Sequence, residues 1–179
     1  MCDPPLPRQK WTSISRSVAG AKSDPVHTLA TLAVSMRTVQ IALTLLYVAE
    51  ELGGWGPLAA AYTGAPLLVQ LLVLVVGGFG EALNMGIYNT IGKDGVYYGV
   101  KLGKEIPWVH GFPFNVCGHP QYVGCTLFLW AISFPVLLVG PASLAIVPTG
   151  WTFCYLFSGI VESDGTKGAV PRGGAKKSK

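Results

Sequence analysis

The chain has 179 residues, 50% of them hydrophobic and 12% charged, with a mean hydropathy of +0.46 and a formal net charge of +4. Soluble domains carry about 25% charged residues, so this balance argues against a water-soluble domain and for a bilayer. The positive charge sits largely at the two ends, and its distribution gives no sign of a nucleic-acid partner.

Residues 1–26 form a polar, proline-containing leader without the apolar stretch of a signal peptide. A helix needs roughly 20 apolar residues to cross about 30 Å of hydrocarbon, and four stretches meet that requirement. The first is roughly 28–49, over the stretch HTLATLAVSMRTVQIALTLLYV that begins at His27, with Arg37 as an interior charge. The second lies within 57–91 and is strongest over APLLVQLLVLVVGGFGEALNMGIY; it is too long for one perpendicular crossing, so its last turns are expected beyond the hydrocarbon. The third covers 121–138, and the fourth covers 142–162 with Pro148 as an expected kink. Val139-Gly140-Pro141 joins these last two into a helical hairpin, because so short a linker forces antiparallel neighbours. The expected fold is all-α: a membrane bundle of about four transmembrane helices over 27–164, followed by a basic tail at 165–179.

Lysine and arginine counts orient such a bundle. Along leader, first loop, central loop 92–120, hairpin turn and tail they run four, zero, three, zero and five. Both ends and the central loop are therefore expected in the cytosol.

Ionisable and small polar residues within spans are functional candidates. Gly77, Glu81, Asn84 and Tyr88 are spaced by four, three and four, so a regular helix places them on one face. Gly78-Phe79-Gly80 precedes Glu81; the glycines admit a second backbone or a flat ligand, or else serve helix packing through small residues. On the fourth span Tyr155, Ser158 and Glu162 share a face, and Glu162 stands where the helix leaves the bilayer, as a site residue or as a solvated end. The central loop carries Tyr97, Tyr98, Trp108, Phe112 and Phe114, suited to an interfacial belt or to enclosing an alkylammonium group. Cys2, Cys117, Cys125 and Cys154 lack metal-type spacing and read as free thiols, so no metal is expected.

Before the third span stands FPFNVCGHPQYVGC, a polar knot at 112–125. With the sequence before it, GEALNMGIYNTIGKDGVYYGVKLGKEIPWVHGFPFNVCGHPQYVG (80–124), it resembles the phospholipid N-methyltransferases, closest to their plant type. The likeness covers most of 20–165. HPQYVG alone is less specific, since prenylcysteine carboxyl methyltransferases and some sterol reductases carry similar segments.

The resemblance implies a small endoplasmic-reticulum enzyme that moves methyl groups from S-adenosylmethionine to the amine of a phospholipid within the membrane. Plant-type members act mainly on monomethyl and dimethyl phosphatidylethanolamine, giving phosphatidylcholine. The family's nucleotide-contacting GxG falls on Gly78 and Gly80, around Phe79, with a GxxG at Gly92 and Gly95. Its acidic pair falls on Glu162 and Ser163, where only the first acid is kept, as in the plant type. His119 and Tyr122 of the HPxYxG segment are expected to face the cofactor, with Pro120 starting the third helix. Cys117-Gly118 stands where related methyltransferases often have a basic residue, so a carboxylate-binding arginine is missing there, and the family's apolar opening segment is replaced by the polar leader. An alkylammonium has a pKa near that of lysine, about 10.4, so the site must remove a proton or select the free base. Glu81, Glu162 and His119 are the candidate bases, with Tyr98 a poorer one, although Glu162 better suits the cofactor's α-amino group. The tail, GGAKKSK, resembles a dilysine retrieval signal. The alternatives are a prenylcysteine carboxyl methyltransferase and a non-catalytic four-span scaffold.

Overall fold

The computed structural model describes residues 13–15, 17, 20, 24–97, 104–106 and 109–166, with side chains as far as Ile160. Its main elements are α1 (Pro25–Glu51), α2 (Trp55–Thr63), α3 (Leu67–Val96), α4 (Pro120–Val139) and α5 (Ile146–Thr166), the last entered through a 3₁₀ turn at Ala142–Ala145. The described residues contain no strand. Four helices are long and apolar enough to cross a membrane: α1, α3, α4 and the stretch Ala142–Ile160. Large apolar side chains point outward along them, Met36 at 73% and Leu67 at 71% exposure, as expected where lipid rather than protein covers the helix.

The stretch expected as one second span divides in two. Gly64, Ala65 and Pro66 separate α2 from α3, because proline supplies no N–H to continue the helix. Within α3, Val73–Gly77 forms a π-helical turn, and Gly92 breaks the regular backbone at φ 62°, ψ −175°. Only glycine adopts that conformation without strain. In α4, Pro120 occupies the first turn as expected. Pro135 lies inside the same helix, and the Tyr62 hydroxyl donates to the nearby Ile132 carbonyl at 2.8 Å.

A buried apolar cluster of Ala49, Leu58, Ala61, Val136 and Leu144 lies at the end opposite the central loop. Ser143 Oγ also donates to Glu51 Oε2 at 2.9 Å, tying the hairpin to α1. Along the bundle α4 lies against α3 through small residues. A Cβ at Gly80 would stand 2.6 Å from the Gly124 carbonyl oxygen, and one at Gly124 would stand 2.6 Å from the Gly80 carbonyl oxygen. Lipid tails are as apolar as leucine, so close backbone approach replaces the hydrophobic drive between membrane helices.

At the central-loop end the chain is pinned by polar contacts. Asp24 accepts from the Val26 N–H at 3.0 Å as the cap of α1, and from Lys104 Nζ at 2.8 Å. The Lys104 ammonium, with lesser help from that backbone N–H, holds the Asp24 carboxyl below its usual 3.8. Asp24 in turn raises Lys104. The stabilising contribution of Asp24 is therefore complete above pH 3.8 and is lost as pH falls through its lower folded value. That of Lys104 is complete below 10.5 and is lost as pH rises beyond it. Asp24→Ala is expected to cost about 1 kcal/mol for the cap, and little more for an ion pair this exposed. Thermal unfolding of the purified variant at neutral pH checks the value.

Candidate active site

At the central-loop end the helices separate and two cavities open. One, of about 410 Å³, lies between α1, the last turns of α3 and the start of α4, with Ile87, Gly95 and Tyr97 on its wall. The other, of about 580 Å³, lies between α4 and α5, with Thr126, Tyr155 and Gly159 on its wall. Gly118, His119 and Tyr122 line both. The start of α4 is thus a partition shared by two compartments.

The knot is positioned from both sides. The segment 112–113 folds back onto α3 at Gly86, where a Cβ would meet the Phe112 ring at 2.6 Å and Pro113 at 3.3 Å. The Thr90 hydroxyl donates to the Phe112 carbonyl at 3.3 Å, and Pro113 is fully buried. The α4 backbone then begins at Pro120, and the first turn carries His119 and Tyr122 side by side.

From that turn an aromatic ladder runs into α5. The rings of His119 and Tyr122 stack with centroids 5.9 Å apart, and those of Tyr122 and Tyr155 stack at 5.8 Å. Trp151 continues the series, 5.8 Å from Tyr155. Arg37 of α1 closes it: its guanidinium donates to the Tyr155 hydroxyl and lies 5.8 Å from the centre of the Trp151 ring. Trp130 Nε1 donates to Thr152 Oγ1 at 2.9 Å, holding α4 and α5 together one helical step from the ladder.

His119 and Tyr122, expected at the site from sequence, line both cavities. Gly78, Phe79, Gly80 and Glu81 line neither cavity. Gly80 is buried against α4, while Gly78, Phe79 and Glu81 face outward. The α3 face that meets α4 runs through Gly77, Gly80, Leu83 and Ile87; a Cβ at Gly77 would meet Ala131 at 3.4 Å. Asn84 accepts from the Cys125 thiol at 3.6 Å, and the Tyr88 and Tyr97 hydroxyls are 2.9 Å apart. Glu162 and Ser163 belong to the helical backbone of α5, about one turn past Gly159; their side chains, like Tyr98 and the lysines of the tail, lie outside the described residues. Sequence reasoning did not find Trp151, or the link from Arg37 to Tyr155 across 118 positions. The i, i+4 spacing of Trp151 and Tyr155 was the available signal.

Such a wall has a definite chemical preference. Tyrosine and tryptophan faces attract cations, by about 0.5–2 kcal/mol each as water is excluded. A cavity walled by stacked tyrosine rings and a histidine suits an organic cation. The fold is that of a multi-pass membrane protein, with two adjoining cavities at one end of its bundle.

Comparison with known proteins names the family. The phospholipid methyltransferase family model matches residues 67–167. The phosphatidyl-N-methylethanolamine N-methyltransferase of Arabidopsis thaliana is 32% identical over 159 residues, which is 87% of this chain and 79% of that protein. No solved structure matches. The chain belongs to the phospholipid methyltransferase family and is a methyltransferase.

Proposed function

We propose that this enzyme methylates the amine of phosphatidyl-N-methylethanolamine and of its dimethyl form, giving phosphatidylcholine, with S-adenosylmethionine as donor. The observation that carries this reading is the shared partition, with His119 and Tyr122 facing two cavities at once. Two reactants can then approach one pair of side chains from opposite sides. Ligand pockets usually measure about 300–1,000 Å³, and both cavities, at about 410 and 580 Å³, fall in that range. The stacked faces of Tyr122 and Tyr155 fit a sulfonium or an alkylammonium cation. When bound, S-adenosylmethionine supplies an electrophilic methyl group on a positively charged sulfur.

The chain's own residues orient, exclude water and move a proton. Tyr122 and Tyr155 hold the cationic centre by their ring faces. His119, at the aqueous end of the partition, accepts the ammonium proton, so that the nitrogen lone pair is free to attack. Glu81 faces away from both cavities and is the weaker choice of base. Glu162, one turn beyond the cavity, is assigned to the donor's α-amino group. Alignment of two reactants is worth roughly 7–11 kcal/mol, enough to dominate a reaction that needs few catalytic groups.

Similarity to the Arabidopsis protein supports the methylated substrates. The alternating lysine and arginine counts support a cytosolic site and cytosolic termini in the endoplasmic-reticulum membrane. Lipid analysis after expression in a host without phosphatidylcholine synthesis tests the activity: phosphatidylcholine should appear when monomethyl lipid is supplied. In vitro, the monomethyl and dimethyl lipids should react well and the unmethylated lipid poorly. Equal rates on all three would remove the proposed preference.

Glu162→Gln should lower turnover severely while insertion and yield stay normal. Ordinary turnover with unchanged donor affinity would place Glu162 outside the site.

A further inference from the structure

Arg37 lies near the middle of α1, where an ionised side chain is costly to keep. Among the described residues no carboxylate stands within ion-pair distance of it, the ion pairs being those of Lys104 with Asp24 and Asp94. Its guanidinium donates to the Tyr155 hydroxyl and also has the Cys125 thiol beside it, two partners for the five N–H groups that a guanidinium has to give. Glu162 stands seven residues beyond Tyr155, roughly 10 Å along the helix axis. The arginine therefore stands in the membrane with its charge unmatched by a described carboxylate.

The cavities around it have an order. A groove of about 800 Å³ runs between α1 and α5 and is walled by apolar side chains such as Met36, Val39, Leu43 and Val147. Gln40, Thr44 and Trp151 line this groove and also a small cavity of about 110 Å³ that contains Arg37. Tyr155 lines that small cavity and also the aromatic cavity between α4 and α5. The sequence in space is apolar groove, guanidinium, cation-attracting rings. A phospholipid has the same sequence in its covalent structure: acyl chain, phosphodiester anion, amine.

We infer that Arg37 is the phosphodiester anchor of the lipid substrate, holding its phosphate beside Tyr155 so that the amine reaches the Tyr122–Tyr155 rings while an acyl chain occupies the α1–α5 groove. This rests on the phospholipid substrate proposed above and adds the subsite that recognises it. Arginine suits the task because its planar fork donates to two phosphate oxygens at once. It also explains why α1, which precedes the residues matched by the family model, is part of the site.

The test is equilibrium binding of radiolabelled monomethyl lipid to the detergent-solubilised full chain without methyl donor, beside the same measurement with a neutral analogue whose phosphodiester is replaced by an uncharged linker. Wild type should prefer the phosphodiester, and Arg37→Gln should lose that preference by about tenfold or more, the worth of a charged hydrogen bond. Arg37→Lys should keep part of it, and Tyr155→Phe, which leaves the guanidinium in place, most of it. Separate titrations with S-adenosylmethionine should show the same donor affinity in wild type and Arg37→Gln. Inorganic phosphate should compete weakly; competition as strong as that of the lipid would mean a free-phosphate site and overturn the assignment. Equal loss of charged and neutral lipid in Arg37→Gln would reduce Arg37 to a support for Tyr155, and loss of donor affinity alone would assign it to the donor's carboxylate. Should Arg37→Gln not fold, equal wild-type affinity for the two lipids is enough to overturn the inference. Because binding is read without turnover, a wild type that binds phosphodiester lipid but methylates none would refute the proposed reaction and leave the anchor standing.

Discussion

Gly80→Leu is expected to abolish recoverable folded protein, and Gly80→Ala to lower its thermal stability clearly. A Cβ at this position stands 2.6 Å from the Gly124 carbonyl oxygen and 2.9 Å from the Phe128 nitrogen. Both are backbone atoms of α4, which cannot move aside as the tip of a side chain can. Overpacking of a core usually costs about 1–3 kcal/mol, and a leucine forced between two backbones belongs at or above the top of that range. Gly78→Leu is the internal control: nothing lies within 4 Å of a Cβ there, so the change should stay within about 0.5 kcal/mol. Tryptophan-monitored thermal unfolding in detergent, with donor affinity measured on whatever remains folded, separates the two roles of this motif. A Gly80→Leu protein with ordinary stability and lost affinity would restore the expectation that this glycine admits the cofactor.

Tyr122→Leu should lower kcat/KM by about a hundredfold at nearly unchanged yield. Tyr122 stacks on His119 and on Tyr155 and lines both cavities. The estimate combines roughly 2 kcal/mol of cation–π attraction in a water-poor cavity with about 1 kcal/mol of ring stacking. Leucine keeps the apolar volume, and the side chain is only partly buried, so the helix start should survive. Tyr122→Phe keeps the ring face and should retain most of the activity. Equal losses in the leucine and phenylalanine variants would mean that the hydroxyl, rather than the ring face, carries the function.

Much of the scaffold was legible from the chain alone. Roughly 20 apolar residues per crossing is a requirement of bilayer thickness, and the four spans read from sequence correspond to the four found. Pro120 begins α4 and the Gly140-Pro141 turn joins α4 to α5, because proline fixes φ and lacks an N–H wherever it stands. The polar knot that carries His119 and Tyr122 was also legible as a candidate, since it stands out beside an apolar run, and both residues line the two cavities.

The rotation of each helix was not. In water, hydropathy tells the buried face of a helix from the exposed one; in lipid both faces are apolar and the periodicity loses that meaning. Glu81 and Gly77 seemed to share a face by spacing, yet Gly77 packs on α4 and Glu81 points outward. Gly80 read as a close-approach surface, and the approaching backbone proved to be Gly124 rather than a cavity. Arg37 carried an evident cost in the sequence but no assignable partner, because Tyr155 lies 118 positions away. Composition and the apolar run lengths, which depend only on local chemistry, determined that this chain is a helical membrane bundle with a polar knot at one end. Which side chains meet at that knot was decided by tertiary packing, through backbone contacts between glycines that set how α3 turns against α4 and where the helix ends part.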